Sequence, residues 1–259
     1  MIRYRFGDNW ARYTKRMPVD ALSQAVSTLR LQVGEITGYS FLDVGSGSGL
    51  MSAAALHMGG GPLLAFDVDP HSVDTTRHLL EAYAPGEDWQ AKQGDVLRDD
   101  FGEWDVVYAW GVLHHTGDLR TALRRAASWV SPGGRYVVAI YLKTPMCGFW
   151  TSEKRWYSQA PTWLRAPVRW IYMAGLLTVW ILKGRIRERL GSHHRGMTFR
   201  ADVDDWLGGY PYESLTFDEI KTVVEPLGFE AEAEFPLADH MGRFGTGCQT
   251  IRFRSTGRG

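Results

Sequence analysis

The chain has 259 residues, enough for one large or two small domains, and carries 29 Lys+Arg against 29 Asp+Glu. That balance excludes a general DNA- or RNA-binding protein, which carries a marked basic excess, although a local basic groove stays compatible with it. Cys147 and Cys248 lie far apart without metal-ligand spacing, and the first residues, Met1 to Phe6, place charge where a signal peptide has its apolar core. A reduced, cytoplasmic protein is therefore expected.

In chain order, Ala21, Ala25, Leu29 and Val33 recur at helical spacing and predict a helix over 19–33. The apolar run Phe41-Leu-Asp-Val44 then predicts a short strand buried on both faces. It leads into Gly45-Ser-Gly-Ser-Gly49 and a helix from Leu50 to Met58. Glycines permit backbone torsions closed to other residues and let a ligand approach the main chain closely. The helix behind them turns its N-terminal amides and positive dipole end towards the turn. A nucleoside-bearing ligand is expected there. The dinucleotide fingerprint places its third glycine one step further on. Here Asp43 also stands before the first glycine, where a carboxylate repels pyrophosphate but suits the ammonium of an amino acid. The pattern points from NAD towards S-adenosylmethionine.

A second strand, Pro62–Phe66, ends at Asp67, which is placed to accept both hydroxyls of a ribose; the alternative is a surface turn residue. Asp69 precedes Pro70 and is expected to cap the next helix. A third strand, Trp89–Gln93, leads to Gly94-Asp95-Val96. The Asp95 carboxylate and the Val96 N–H suit the edge of an adenine, against the alternative of an ordinary Gly-Asp turn. A fourth strand, Trp104–Trp110, a helix from Leu119 to Val130, the turn Ser131-Pro-Gly-Gly134 and a fifth strand, Arg135–Tyr141, complete the alternation.

This ordered set of residues resembles the class I S-adenosylmethionine-dependent methyltransferases, in the style of the ubiquinone and menaquinone small-molecule group. The resemblance covers about residues 38–142 and the final strands. It implies an α/β, Rossmann-like, seven-stranded, mostly parallel sheet with helices on both faces. It further implies that Asp43, Gly45, Ser46, Gly47 and Gly49 meet the methionine end of the cofactor. Asp67 and Val68 would meet the ribose side, Asp95 and Val96 the adenine, and Trp110 and Gly111 the boundary with the acceptor. The expected division is a helical N-terminal cover (1–37), the core (38–142), a helical lid (143–213) and a C-terminal return to the core (214–259). Trp10 and Tyr13 are expected either to close over the cofactor or to pack against the sheet.

Between the fifth strand and the helix predicted at Thr216–Glu225 lies a tryptophan-rich insertion with Trp150, Trp156, Trp163, Trp170, Trp180 and Trp206. A segment of that length usually serves function, and a lid over the substrate side is expected. The apolar run Trp170–Leu182 falls short of the roughly 20 residues of a spanning helix. Basic residues between 165 and 189 permit contact with a membrane surface, but a buried lid helix with a solvated basic end is the preferred reading. The loop from His193 to Glu213 collects imidazoles, carboxylates and phenols suited to a polyhydroxylated acceptor. His193, His194, Asp202 and Asp205 match no standard metal spacing, and no metal is expected.

For a hydroxyl acceptor, a base near neutral pKa assists proton removal, and histidine fits that range. The candidates are His114 and His115 after the fourth strand and His193 and His194 in the insertion. The expected activity is methylation of a small molecule, chiefly O-methylation of a sugar, glycoconjugate or natural-product hydroxyl. The alternative is an RNA-modifying methyltransferase.

Overall fold

The computed structural model describes residues 17–184, 206–236 and 247–257, together with Gly7, Trp10, Thr14 and Val203. Its framework alternates strands and helices: α1 (Ala21–Val33), β1 (Phe41–Val44), α2 (Leu50–His57), β2 (Leu63–Asp67), α3 (Pro70–Tyr83), β3 (Trp89–Gln93) and β4 (Trp104–Trp110). It continues with α4 (Leu119–Ala127), β5 (Val130–Tyr141), α5 (Cys147–Gln159), α6 (Thr162–Leu182), α7 (Phe217–Val224), β6 (Phe229–Phe235) and β7 (Cys248–Ser255).

The strands form one seven-stranded sheet in the order β3-β2-β1-β4-β5-β7-β6. β1 to β5 run parallel, and β7 lies antiparallel between β5 and β6. Alternate strand residues feed opposite faces. Leu42, Val44, Leu64, Phe66, Val107 and Val138 join a core completed by α4 and α7. Phe41, Leu63, Ala65, Val106, Tyr108 and Val137 join the second core, closed by α1, α2 and α3. This is the α/β fold expected from the sequence. The chain reverses its order of strand addition between β1 and β4. In open sheets of this kind ligands bind at such a switch, beyond the carboxyl ends of the strands.

Two boundaries depart from the sequence reading. α4 ends at Ala127, and β5 begins at Val130 instead of Arg135. Ser131–Gly134 are taken into the strand because Trp104 pairs with Val130 while Val106 pairs with Arg135, a register shift that absorbs the extra residues as a bulge. Gly134 makes it feasible, since a Cβ there would lie 2.8 Å from the Asp105 carbonyl oxygen.

α6 departs further. It is a 21-residue helix with no buried residue, not the buried lid helix expected. Only one side of it, Val168, Tyr172, Met173 and Leu176, packs towards Tyr157, Val203 and Leu207. Among the described residues no helix is long and apolar enough to cross a membrane.

Candidate active site at the carboxyl end of the sheet

The loop after β1 is built by three glycines in the left-handed region: Gly45 (φ 71°), Gly47 (φ 57°) and Gly49 (φ 79°). The N–H groups of Gly45 and Ser46 both donate to the Phe66 carbonyl oxygen, at 2.8 and 3.0 Å, tying the loop to the end of β2. The space around the glycines is already committed. A Cβ on Gly45 would lie 2.5 Å from the Val112 methyls, and one on Gly49 would lie 2.9 Å from the Thr76 Cα. The Trp10 indole lies against Gly47, 3.0 Å from where its Cβ would be, and also packs on the α1–α3 core. Trp10 thus packs on the core, the second of its two expected roles, whereas Tyr13 lies outside the described residues.

Three acids lie at the ends of β1, β2 and β3. Asp43 is buried in β1 and accepts a 2.5 Å hydrogen bond from Ser52 of α2. Burial drives its pKa up to about 7 against the Ser52 hydrogen bond, with Asp67 repelling its charge. Asp67 accepts from the Gly47 N–H at 3.1 Å and from the Asp69 N–H at 2.9 Å. Burial raises its pKa to about 6 although these amides favour the charged form. Asp69 caps α3 through the His71 N–H at 3.0 Å, and its second oxygen accepts from the Gly7 N–H at 3.0 Å. Asp95 sits differently: one oxygen accepts from the Leu97 N–H at 3.0 Å, closing a turn, and Arg98 lies 3.9 Å from the other. Val96 turns its side chain into the core, while Val68 is exposed beside Asp67. Gly111 (φ 76°) follows half-buried Trp110, and a Cβ there would meet nothing within 4 Å.

The histidines after β4 have separate environments. The His114 ring is fully buried, 3.9 Å from the Tyr141 ring centroid at the end of β5. His115 is half-buried, and its Nδ1 lies 2.7 Å from the Pro211 carbonyl oxygen. Desolvation holds the His115 pKa down to about 4 against the carbonyls of Pro211 and Gly209, and the nearby Lys154 cation pushes the same way. His115 is therefore neutral at physiological pH. His193, His194, Asp202 and Asp205 lie outside the described residues.

One group escaped the sequence reading. Lys154 of α5 is wholly buried and donates to the Trp206 carbonyl oxygen. Its ammonium lies 3.5 Å from the Trp206 ring centroid, 5.4 Å from that of Tyr212 and 5.8 Å from that of Trp150. The Glu153 carboxylate is 4.0 Å away. Burial pulls Lys154 down and pushes Glu153 up, each partly offset by the other's charge. Tyr141 links this box to the histidines, with its ring 5.1 Å from Tyr212 and 5.5 Å from both Trp206 and His115. The density of tryptophan in the insertion was a signal for an aromatic wall. Nothing in the sequence distinguished Lys154 from any solvated helix lysine.

Residues 42–136 match the model of a methyltransferase domain family. That stretch contains the glycine loop, the three strand-end acids and both β4 histidines. These residues form a methyltransferase domain, on a sheet with the fold of the S-adenosylmethionine-dependent methyltransferases. It is 39% identical over 102 residues to a ribosomal protein L11 methyltransferase of Exiguobacterium sp., covering 39% of this chain and 32% of that protein. It is 30% identical over 112 residues to a ubiquinone biosynthesis O-methyltransferase of Xanthomonas euvesicatoria, covering 43% of this chain and 46% of the relative. The chain thus spans less than half the length of these curated relatives. In fold it resembles the magnesium protoporphyrin IX methyltransferase of Synechocystis PCC 6803, solved with bound SAH, at TM-score 0.57 and 16% identity over 96% of this chain and 93% of that one. The [4+2]-cyclase SpnF has the same TM-score of 0.57 at 12% identity, over 90% of this chain and 80% of that one. The methyltransferase fold therefore does not by itself define a reaction.

Proposed function

We propose that this chain transfers a methyl group from S-adenosylmethionine to a hydroxyl of a small-molecule acceptor, a sugar, glycoconjugate or natural product. The observation that carries the reading is the junction of Gly47 with Asp67. The carboxylate that suits a ribose is held against the loop that suits the methionine end, both at the topological switch of the sheet.

The residues fit that cofactor. Side chains on Gly45 or Gly47 would collide with Val112 or Trp10, so the loop must stay bare backbone at both positions, which would let the cofactor approach its main chain. Asp67 would accept the ribose hydroxyls, flanked by exposed Val68. Asp43, with Ser46 and Gly49 of the same loop, would bring negative charge and main chain to the methionine end. Asp95 and the Val96 N–H would border the adenine, and Trp110 with Gly111 the reacting end. When bound, the cofactor supplies a methyl group on a sulfonium. The protein's part is to orient the acceptor and exclude water.

On the acceptor side we place the wall of Tyr141, Trp206 and Tyr212, whose ring faces and hydroxyls suit a partly apolar, hydroxylated molecule. Of the histidine pair, His115 is the one we assign there. In neutral form it ties the Pro211 segment to the end of β4 and so positions the wall. His114, buried against Tyr141, supports it from beneath. The likeness to a ubiquinone biosynthesis O-methyltransferase supports a hydroxyl as the methylated group. The balanced charge favours a small acceptor over RNA.

The test is transfer of radiolabelled methyl groups from S-adenosylmethionine into a panel of glycosides and phenols, run beside bulk tRNA at several salt concentrations. Label in a hydroxylated small molecule is expected. Label only in tRNA, falling steeply with salt, would replace this reading with an RNA acceptor.

A further inference from the structure

We propose that α6 is an interfacial docking helix that seats this protein on the surface of an anionic lipid bilayer. The exposed residues of the helix follow helical spacing: Trp163, Pro167, Trp170, Ala174, Thr178 and Ile181, with Thr162, Ile171, Gly175 and Leu182 beside them. The stripe holds no charged residue. Its large members are open to solvent, with Trp163 73%, Trp170 59%, Ile171 73% and Leu182 82% exposed. The opposite side of the same helix makes the contacts to Tyr157, Val203 and Leu207. Core packing therefore accounts for one side of α6 and leaves this one unexplained. An exposed apolar stripe of this extent marks an interaction surface.

Charge selects the occupant. From Pro161 to Gly184 the basic residues are Arg165, which also donates to the Ala160 and Ser158 carbonyl oxygens, Arg169 and Lys183, and there is no acid. This occurs in a chain whose formal net charge is zero, so the excess is local to α6. An apolar stripe with tryptophans, on a helix with basic residues and no acid, suits the boundary between acyl chains and anionic headgroups. A second copy of the chain would offer the same apolar stripe and the same basic excess, with no acid on α6 to answer it. At 21 residues, with Pro167 and Thr178 on its outer side, the helix suits lying in the plane of a bilayer.

Flotation of the full chain with vesicles tests the proposal. Vesicles of phosphatidylcholine with phosphatidylglycerol should retain about tenfold or more protein than phosphatidylcholine alone, and added salt should reduce the difference. The double substitution Trp170→Glu with Ile171→Glu should abolish retention. It should leave the thermal melt and S-adenosylmethionine binding unchanged, because neither residue belongs to the core or to the proposed cofactor site. Equal retention on both vesicle types, or none on anionic vesicles at low salt, would overturn the proposal. A lipid-free dimer by light scattering that this double substitution dissolves would also overturn it, assigning the stripe to a second copy.

Discussion

The N–H of Gly47 donates to the carboxylate of Asp67 at 3.1 Å, so the last residue of β2 clasps the loop that follows β1. The two ends of the proposed cofactor site are thus one mechanical unit. Asp67→Ala removes both the clasp and the acceptor for a ribose. Hydrogen bonds to a charged group contribute about 1.5–3 kcal/mol, so S-adenosylmethionine binding should weaken by about ten- to a hundredfold. Isothermal titration checks this, and wild-type affinity in the variant would remove Asp67 from the site.

Asp43 predicts a pH dependence. Its folded-state pKa is about 7 against an ordinary 3.8, so between those values the folded state binds more protons than the unfolded one. Stability of the ligand-free protein should accordingly fall as pH rises through this window. A ligand ammonium pairs only with the ionised carboxylate, so affinity should move the opposite way and tighten about tenfold from pH 6 to pH 8. The rise in Tm caused by S-adenosylmethionine should therefore be larger at pH 8. Asp43→Asn should lessen both trends, leaving the fall in stability with rising pH, up to about pH 6, that the raised pKa of Asp67 contributes, which a thermal-shift series in matched buffers will measure.

Two glycines with nearly the same torsion should respond unequally to alanine. Gly49 (φ 79°) has the Thr76 Cα 2.9 Å from the position of a Cβ, while Gly111 (φ 76°) has open space. Gly111→Ala meets only backbone strain, about 1 kcal/mol. Gly49→Ala must also push α2 from α3, and a loss of about 3 kcal/mol is expected. Urea denaturation of the two variants provides the comparison; equal losses would show that α3 yields freely.

The Lys154–Glu153 pair should be strongly non-additive. Lys154→Met leaves the Glu153 carboxylate buried without its cation and should cost about 3 kcal/mol. Adding Glu153→Gln removes the stranded charge and should restore most of that loss. A double-mutant cycle by chemical denaturation measures the coupling, and purely additive losses would contradict a paired role.

Much of the core was legible because its signals are local. β3 and β4 carry the bounds read from the sequence, and Asp69 caps α3 as Asp-Pro at a helix start implies. The bulge in β5 was not legible. Ser131-Pro-Gly-Gly134 has turn chemistry, and only pairing with β4 draws it into the strand. The exposure of α6 was hidden for a related reason. An apolar run reads alike whether its outer side meets protein, lipid or water, and here that side meets none of the described residues closely enough to be buried.

By itself, the sequence determined the alternating α/β order, the glycine loop and the acids that close β1 and β2, because backbone torsion, strand period and helix capping are written within a few neighbouring residues. Tertiary structure alone decided how those acids are held. The Asp67 clasp on Gly47, the elevated pKa of Asp43 and the neutrality of His115 depend on burial and on partners contributed by other elements. The enclosure of Lys154 by Trp150, Trp206 and Tyr212 was decided the same way. Desolvation is a property of what folds over a residue, and no local pattern encodes it.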